Sequence, residues 1–224
     1  NEHQWLDRRI LKEVVSFFEE ARKVHGDEME IWVDCHARLS GAHAARLVYE
    51  LRGLADLIEE PLPPEDIDGL KALKEASYAC GGPKIAAGER TATLYDRHMM
   101  RMVTEQMVDI FQPDIGNCGG FTSFYELAAV ATMHNVAMAP HNPNGPLSVA
   151  QGIQAIASVR NGHIFETVGN EAEEELAAQL LINPEVVRSK DGFIELPTGP
   201  GIGVELNPEG LEGRPFKRYY QTTR

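Results

Sequence analysis

The chain has 224 residues, 43% of them hydrophobic and 25% charged, the balance of a globular protein with a sizeable core. Thirty-four acidic side chains against 21 basic ones give a formal charge of −13, which argues against a partner role with nucleic acid or an anionic membrane surface. The best apolar run, 127–133, is only seven residues, and three scattered cysteines (Cys35, Cys80, Cys118) with no leader-like start point to a reducing cytoplasm rather than a disulfide scaffold.

The chain opens at Asn1 rather than at Met, as a fragment would. Ile10, Val14, Phe17 and Ala21 recur at helical spacing among Arg8, Lys12, Glu13, Glu19 and Glu20, an amphipathic helix that stops near Gly26. A short strand follows over 31–36. The alternation then repeats: helix 42–54 and strand 57–59, helix 67–79 and strand 84–88, helix 94–107 and strand 109–112, helix 121–134 and strand 136–139. A last helix over 146–159, with Pro146 in its first turn, precedes a sixth strand at 163–167. Met99, Met100, Met102 and Met107 cluster near one helix and read as packing. Beyond it the composition changes. Four acids in the five residues 171–175 read as a solvated helix start, and 192–194 and 197–203 as short strands and turns.

Six strands alternating with helices mean βα units and a parallel sheet. Right-handed crossovers leave two candidates, an open doubly wound sheet and a closed barrel. No strand runs into a G-x-G-x-x-G turn; the glycines at 116–120 lack that spacing. All strands but the fifth instead end in, or run straight into, a polar side chain capable of chemistry, which a barrel's active face requires. The fold expected is therefore α/β, a TIM-like (modified β/α) barrel. Residues 1–170 would supply its last six or so βα units, with about two more before Asn1, and 171–224 a C-terminal segment.

Asp34, Glu59 and Glu89 close three consecutive predicted strands. Strand ends in a barrel face one mouth, so the three carboxylates could converge on one cation, and oxygen-only ligation favours Mg²⁺ over zinc. His36 lies two residues beyond Asp34, on the same face of an extended strand, while Cys35 faces the packing side. A histidine beside such acids has its charged form favoured and suits a proton donor. His141 follows the fifth strand in the proline-rich run 139–146, and Asp114, closing the strand before, is placed to orient it by a hydrogen bond.

The ordered set Asp34-Cys35-His36, Ile58-Glu59-Glu60-Pro61, Gly88-Glu89-Arg90, Gln112-Pro113-Asp114 with Gly119-Gly120, Ala139-Pro140-His141 and Glu166 resembles the enolase superfamily. More closely it is similar to the mandelate racemase-like acid sugar dehydratases of the galactonate dehydratase type. Pro200-Gly201-Ile202-Gly203-Val204-Glu205 is similar to that family's C-terminal segment. The resemblance spans 31–206, and the steps of 27 residues from Asp114 to His141 and 25 more to Glu166 carry much of it.

The resemblance implies a hydro-lyase that dehydrates a sugar acid (an aldonate such as galactonate, gluconate or mannonate) to a 2-keto-3-deoxy acid through an enediolate. Asp34, Glu59 and Glu89 would bind Mg²⁺. His141, paired with Asp114, would take the proton next to the substrate carboxylate, and His36 would protonate the departing 3-hydroxyl. Glu166 would hydrogen-bond a substrate carboxylate oxygen, and Arg90 would contact the polar chain. Segment 171–224 would pack on a capping domain, and the enzyme would be a cytoplasmic homo-oligomer. Two alternatives stay open: a racemase or epimerase of a carboxylic acid on the same scaffold, and a catalytically silent relative.

Overall fold

A computed structural model of the chain describes residues 6–91 and 96–214. The first residues of the expected barrel segment, the start of the helix expected over 94–107 and the last ten residues of the tail lie outside the described residues. The chain divides into two compact units, Asn1–His141 with Ala155–Glu166, and Asn142–Gln154 with Thr167–Arg224.

In the first unit the elements follow one another as α1 (Arg8–His25), β1 (Trp32–Asp34), α2 (Gly41–Glu50), β2 (Leu57–Glu59) and α3 (Ile67–Cys80). They continue as β3 (Lys84–Ala87), α4 (Arg97–Thr104), β4 (Ile110–Phe111), α5 (Gly120–Met133) and β5 (Ala137–Met138). Helix α6 (Pro146–Ala157) starts in the second unit and ends in the first. Aspartates open three of these helices. Asp7, Asp66 and Asp96 accept main-chain N–H bonds from the first turns of α1, α3 and α4, each worth about 1 kcal/mol.

The five strands lie in the order β1-β2-β3-β4-β5, and every neighbouring pair is parallel. A doubly wound sheet reverses its strand order at a switch point. This sheet does not reverse, and its chain order is that of a barrel wall.

Alternation along the strands sorts the side chains into two cores. Ile58, Ile85, Ala87, Phe111 and Met138 belong to the large cluster that also holds Leu47, Leu70, Met102 and Leu127 of the helices. Leu57, Ala86, Ile110 and Ala139 form a separate small cluster, with Trp32 and Ala137 packed against it. The second set sits at every other position and is the interior face of the wall. Extended by one residue pair toward the strands' carboxyl ends, the same positions read Asp34, Glu59, Gln112 and Asp114, and His141. A polar rim at the strands' carboxyl ends therefore continues the interior core. Met99, Met100, Met102 and Met107 are all buried, as packing requires. Burial pushes the Cys35 thiol up to about 12 and the Cys118 thiol up to about 11, so neither is a nucleophile at neutral pH.

The opposite end of the wall is tied by a device used twice. Asp56, just before β2, accepts from the Ile31 N–H and from the Arg22 guanidinium, both at 2.7 Å. Asp109, just before β4, accepts from the Ile85 N–H at 2.8 Å and from the Lys74 ammonium. In each case a strand-leading acid binds the start of the preceding strand and a cation from the helix that runs into that strand, α1 before β1 and α3 before β3.

Two expectations need correction. The strand expected over 31–36 ends at Asp34, because His36 and Ala37 stand at φ 49° and 56°, outside extended geometry. The strand expected over 163–167 does not form; it is reduced to one parallel bridge between Met138 and Gly162. Met138 donates to Asn161 O and accepts from His163 N–H, both at 2.8 Å. The next bond of that ladder would need an N–H at Pro140, which has none.

In the second unit α7 (Glu171–Leu180) is the helix anticipated at the acidic run. Asn170 caps it, and Glu171, Glu173 and Glu174 lie at the positive end of its dipole. A 3-10 turn (Pro184–Val187) and the short α8 (Pro208–Leu211) follow. The strands expected near 192–194 are reduced to the bridge between Lys190 and Phe193, with another between Leu181 and Leu206. Among the described residues no helix is long and apolar enough to cross a membrane.

Candidate active site

His141 continues the interior face of β5 two residues beyond Ala139. Its Nδ1 lies 3.1 Å from Asp114 Oδ2, and its Nε2 lies 3.2 Å from Glu89 Oε2. Asp114 has no exposed side-chain surface, and its Oδ1 accepts from the Gly116 N–H at 2.7 Å. Burial alone would raise the Asp114 carboxyl, but the bonds from His141 and Gly116 outweigh it and hold it below the usual carboxylate range. An ionised carboxylate only accepts, so Nδ1 of His141 carries the proton it shares with Asp114. Nε2 is then the atom left to exchange a proton. Burial works to lower the His141 pKa, but Asp114, Glu166 and Glu89 together raise it.

Glu89 reaches that imidazole because of Gly88. Alternation would aim residue 89 at the helix side, but Gly88 at φ 128° breaks the extended run. A Cβ at Gly88 would stand 2.6 Å from the Phe111 ring. The turned-in Glu89 also holds Arg90, whose Nε is 3.3 Å from Oε1; the Arg90 side chain is otherwise largely exposed.

Asp34 and Glu59 are register partners on adjacent parallel strands, so their side chains project together from the interior face. Asp34 Oδ2 is 2.9 Å from His36 Nε2, and Asp34 Oδ1 accepts from the His36 main-chain N–H at 2.8 Å. The left-handed turn at His36 thus folds the imidazole back onto the acid that strand alternation was expected to place beside it. Glu59 is buried, and its Oε1 accepts from Gln112 Nε2 at 2.8 Å. Burial, with the charges of Glu166 and Asp34 added, pushes the Glu59 carboxyl up to about 8. Glu166 is half-buried and lies within electrostatic reach of both Glu59 and His141.

The structure thus joins His141, Asp114, Glu89 and Arg90 by direct contacts, pairs Asp34 with His36, and couples Asp34, Glu59 and Glu166 through their charges. Among the described residues no three His, Cys, Asp or Glu side chains gather at metal distance, because Asp34 is turned onto His36 and Glu89 onto His141 and Arg90. The chemistry of the donors nevertheless fits a hard divalent cation: they are oxygen-only carboxylates, and one of them, Glu59, is pushed toward protonation by burial and by the negative charge of Glu166 and Asp34. Two further residues belong to the site, Gln112 and Glu60. Gln112 continues the interior positions of β4 one residue past its end, a signal readable in the sequence. Glu60 is buried and accepts from two main-chain N–H groups at the end of β3, which no local pattern announces.

Residues 5–210 match the family described as enolase C-terminal domain-like. A D-galactonate dehydratase of Verminephrobacter eiseniae is 33% identical over 204 residues, 89% of this chain and 51% of that protein. A D-mannonate dehydratase of Caulobacter sp. is 27% identical over 223 residues, 98% of this chain and 52% of that protein. Among solved structures, a mandelate racemase/muconate lactonizing enzyme-like protein from Roseovarius sp. superposes with a TM-score of 0.78 at 26% identity, covering 88% of this chain and 47% of that one. A mandelate racemase/muconate lactonizing enzyme from Sulfitobacter sp. does so with a TM-score of 0.78 at 26% identity, covering 90% and 48%. The chain spans about half the length of the relatives it matches.

Proposed function

The chain belongs to the enolase C-terminal domain-like family, and from that premise we propose that the protein is a Mg²⁺-dependent hydro-lyase converting a sugar acid to its 2-keto-3-deoxy acid. The observation that carries the proposal is His141 fixed by buried Asp114, with its Nε2 turned to Glu89 at the end of β3. The names of the relatives, D-galactonate and D-mannonate dehydratase, support the aldonate class of substrate.

Asp34, Glu59 and Glu89 would hold the Mg²⁺, with Glu89 exchanging His141 and Arg90 for the cation. Bound there, Mg²⁺ supplies Lewis-acid stabilisation of the negative charge that develops when a proton leaves the carbon beside a carboxylate. His141 Nε2 takes that proton, and Asp114 stabilises the imidazolium formed. His36, largely exposed at the mouth of the wall, hands its proton to the departing 3-hydroxyl, which leaves as water. The resulting enol tautomerises to the keto acid. Glu166 would hold a substrate carboxylate oxygen, and Arg90 the polar chain. The same proposal takes the protein to be a cytoplasmic homo-oligomer in which segment 171–224 packs on a capping domain.

Incubating the intact protein with a panel of aldonates and Mg²⁺, with detection of 2-keto acid, tests the reading. Keto acid from at least one aldonate is expected. Deuterium entering substrate without keto acid would identify an epimerase instead, and inertness toward the whole panel would refute the proposal.

A further inference from the structure

Glu60 follows Glu59 and ties three strand ends together. Its N–H donates to Ala86 O at 2.9 Å, and its carbonyl accepts from the Ala37 N–H at 2.7 Å, in the turn that carries His36. Its Oε1 accepts from the Gly88 N–H at 2.6 Å and from the Glu89 N–H at 3.2 Å. Two unfavourable features meet at this one residue. The side chain is a carboxyl group only 2% exposed, and the backbone stands at φ 39°, where a side chain is strained. Its burial keeps it from touching substrate. What it controls is the main chain of residues 88 and 89, the point at which Gly88 departs from strand geometry and sends Glu89 toward His141.

We propose that Glu60 is a positioning residue for Glu89, and that it acts as a hydrogen-bond acceptor rather than as a charge. The inference rests on the reading above that Glu89 is a Mg²⁺ ligand. Both groups that Oε1 holds are neutral main-chain N–H groups. An amide oxygen at the same place accepts the same two bonds, whereas a carboxylate one methylene shorter cannot reach them from the same backbone. Partners of this kind, standing behind a ligand, change metal affinity by about 10- to 100-fold when removed.

Two conservative variants of the intact protein, Glu60→Gln and Glu60→Asp, separate position from charge. Mg²⁺ binding is measured by titration calorimetry, and amide hydrogen exchange is followed at Gly88 and Glu89. Glu60→Gln is expected to bind Mg²⁺ within about threefold of wild type with both amides still protected. Glu60→Asp is expected to lose at least about tenfold in affinity and to exchange both amides faster. Wild-type protein that takes up no Mg²⁺ overturns the metal reading and this inference with it. Wild-type protein that binds Mg²⁺ while Glu60→Gln loses affinity, or while Glu60→Asp matches wild type, overturns the role of Glu60 alone.

Discussion

His141 Nδ1 stands 3.1 Å from Oδ2 of Asp114, whose other oxygen is held by the Gly116 N–H. That second bond decides what Asp114→Asn would do. Gly116 needs an acceptor, so the new amide keeps its oxygen there and turns its NH₂ toward His141. Nδ1 then has to accept, the ring proton moves to Nε2, and Nε2 can no longer take a proton from substrate. The expected outcome is a fall in kcat of about 10³- to 10⁴-fold with KM changed little, read from steady-state kinetics.

Glu59→Gln should separate stability from function. The Glu59 carboxyl is buried among Glu166 and Asp34, whose charges add to burial in pushing it up to about 8. An uncharged isostere still reaches Gln112 and removes the repulsion. In the presence of a chelator the variant should be more stable than wild type by about 1 kcal/mol, which is about 2–4 °C in Tm. Mg²⁺ is expected to raise the Tm of wild type and to leave that of the variant unchanged. Thermal melts with chelator and with Mg²⁺ check both halves.

Gly88→Ala should be severely damaging although it adds one methyl group. The Cβ would meet the Phe111 ring at 2.6 Å and the Gln112 main-chain nitrogen at 3.1 Å, at a φ of 128° that alanine avoids. Phe111 is fully buried and has no room to withdraw. A loss of about 2–4 kcal/mol is expected from overpacking and backbone strain combined, measured by denaturant unfolding.

Much of this site follows from alternation. Leu57 to Glu59, Ile110 to Gln112 to Asp114, and Ala137 to Ala139 to His141 each run from an apolar interior position to a polar one in steps of two, so the polar rim can be read directly from the strands. The step fails where the backbone leaves the extended region. His36 turns back at φ 49° and Glu89 turns in after Gly88 at 128°, and neither departure has a periodic signature. The alternation of helices and strands predicts a sixth strand over 163–167, but its pairing beyond Met138 needs an N–H that Pro140 lacks. Glu60 reads as an ordinary acid before Pro61. Only the approach of β3, 28 residues away, makes it a buried acceptor.

The acid side of the stability profile should depend on Asp56. Burial raises its carboxyl, but the Ile31 N–H and the Arg22 guanidinium outweigh that and hold it below the ordinary value of 3.8. A depressed folded pKa gives stabilisation that is complete above the unfolded value and disappears as pH falls through the folded one. Asp56→Asn should therefore lower stability at pH 7 by about 1 kcal/mol, a figure reduced because 36% of the side chain is exposed. The gap between wild type and variant should close as the pH drops below about 4. A gap that is constant with pH would remove Asp56 ionisation as its cause.

The most direct measurement follows the proton that His141 is held to remove. Intact wild-type protein and its His141→Asn variant are incubated in D₂O with Mg²⁺ and an aldonate that wild type converts, and loss of the hydrogen on the carbon beside the carboxylate is followed by NMR. Wild type should consume that hydrogen as keto acid appears. His141→Asn, folded as shown by an unchanged circular dichroism spectrum, should leave it in place with a rate lower by at least about 10³-fold. A variant that removes the hydrogen at the wild-type rate would contradict the account.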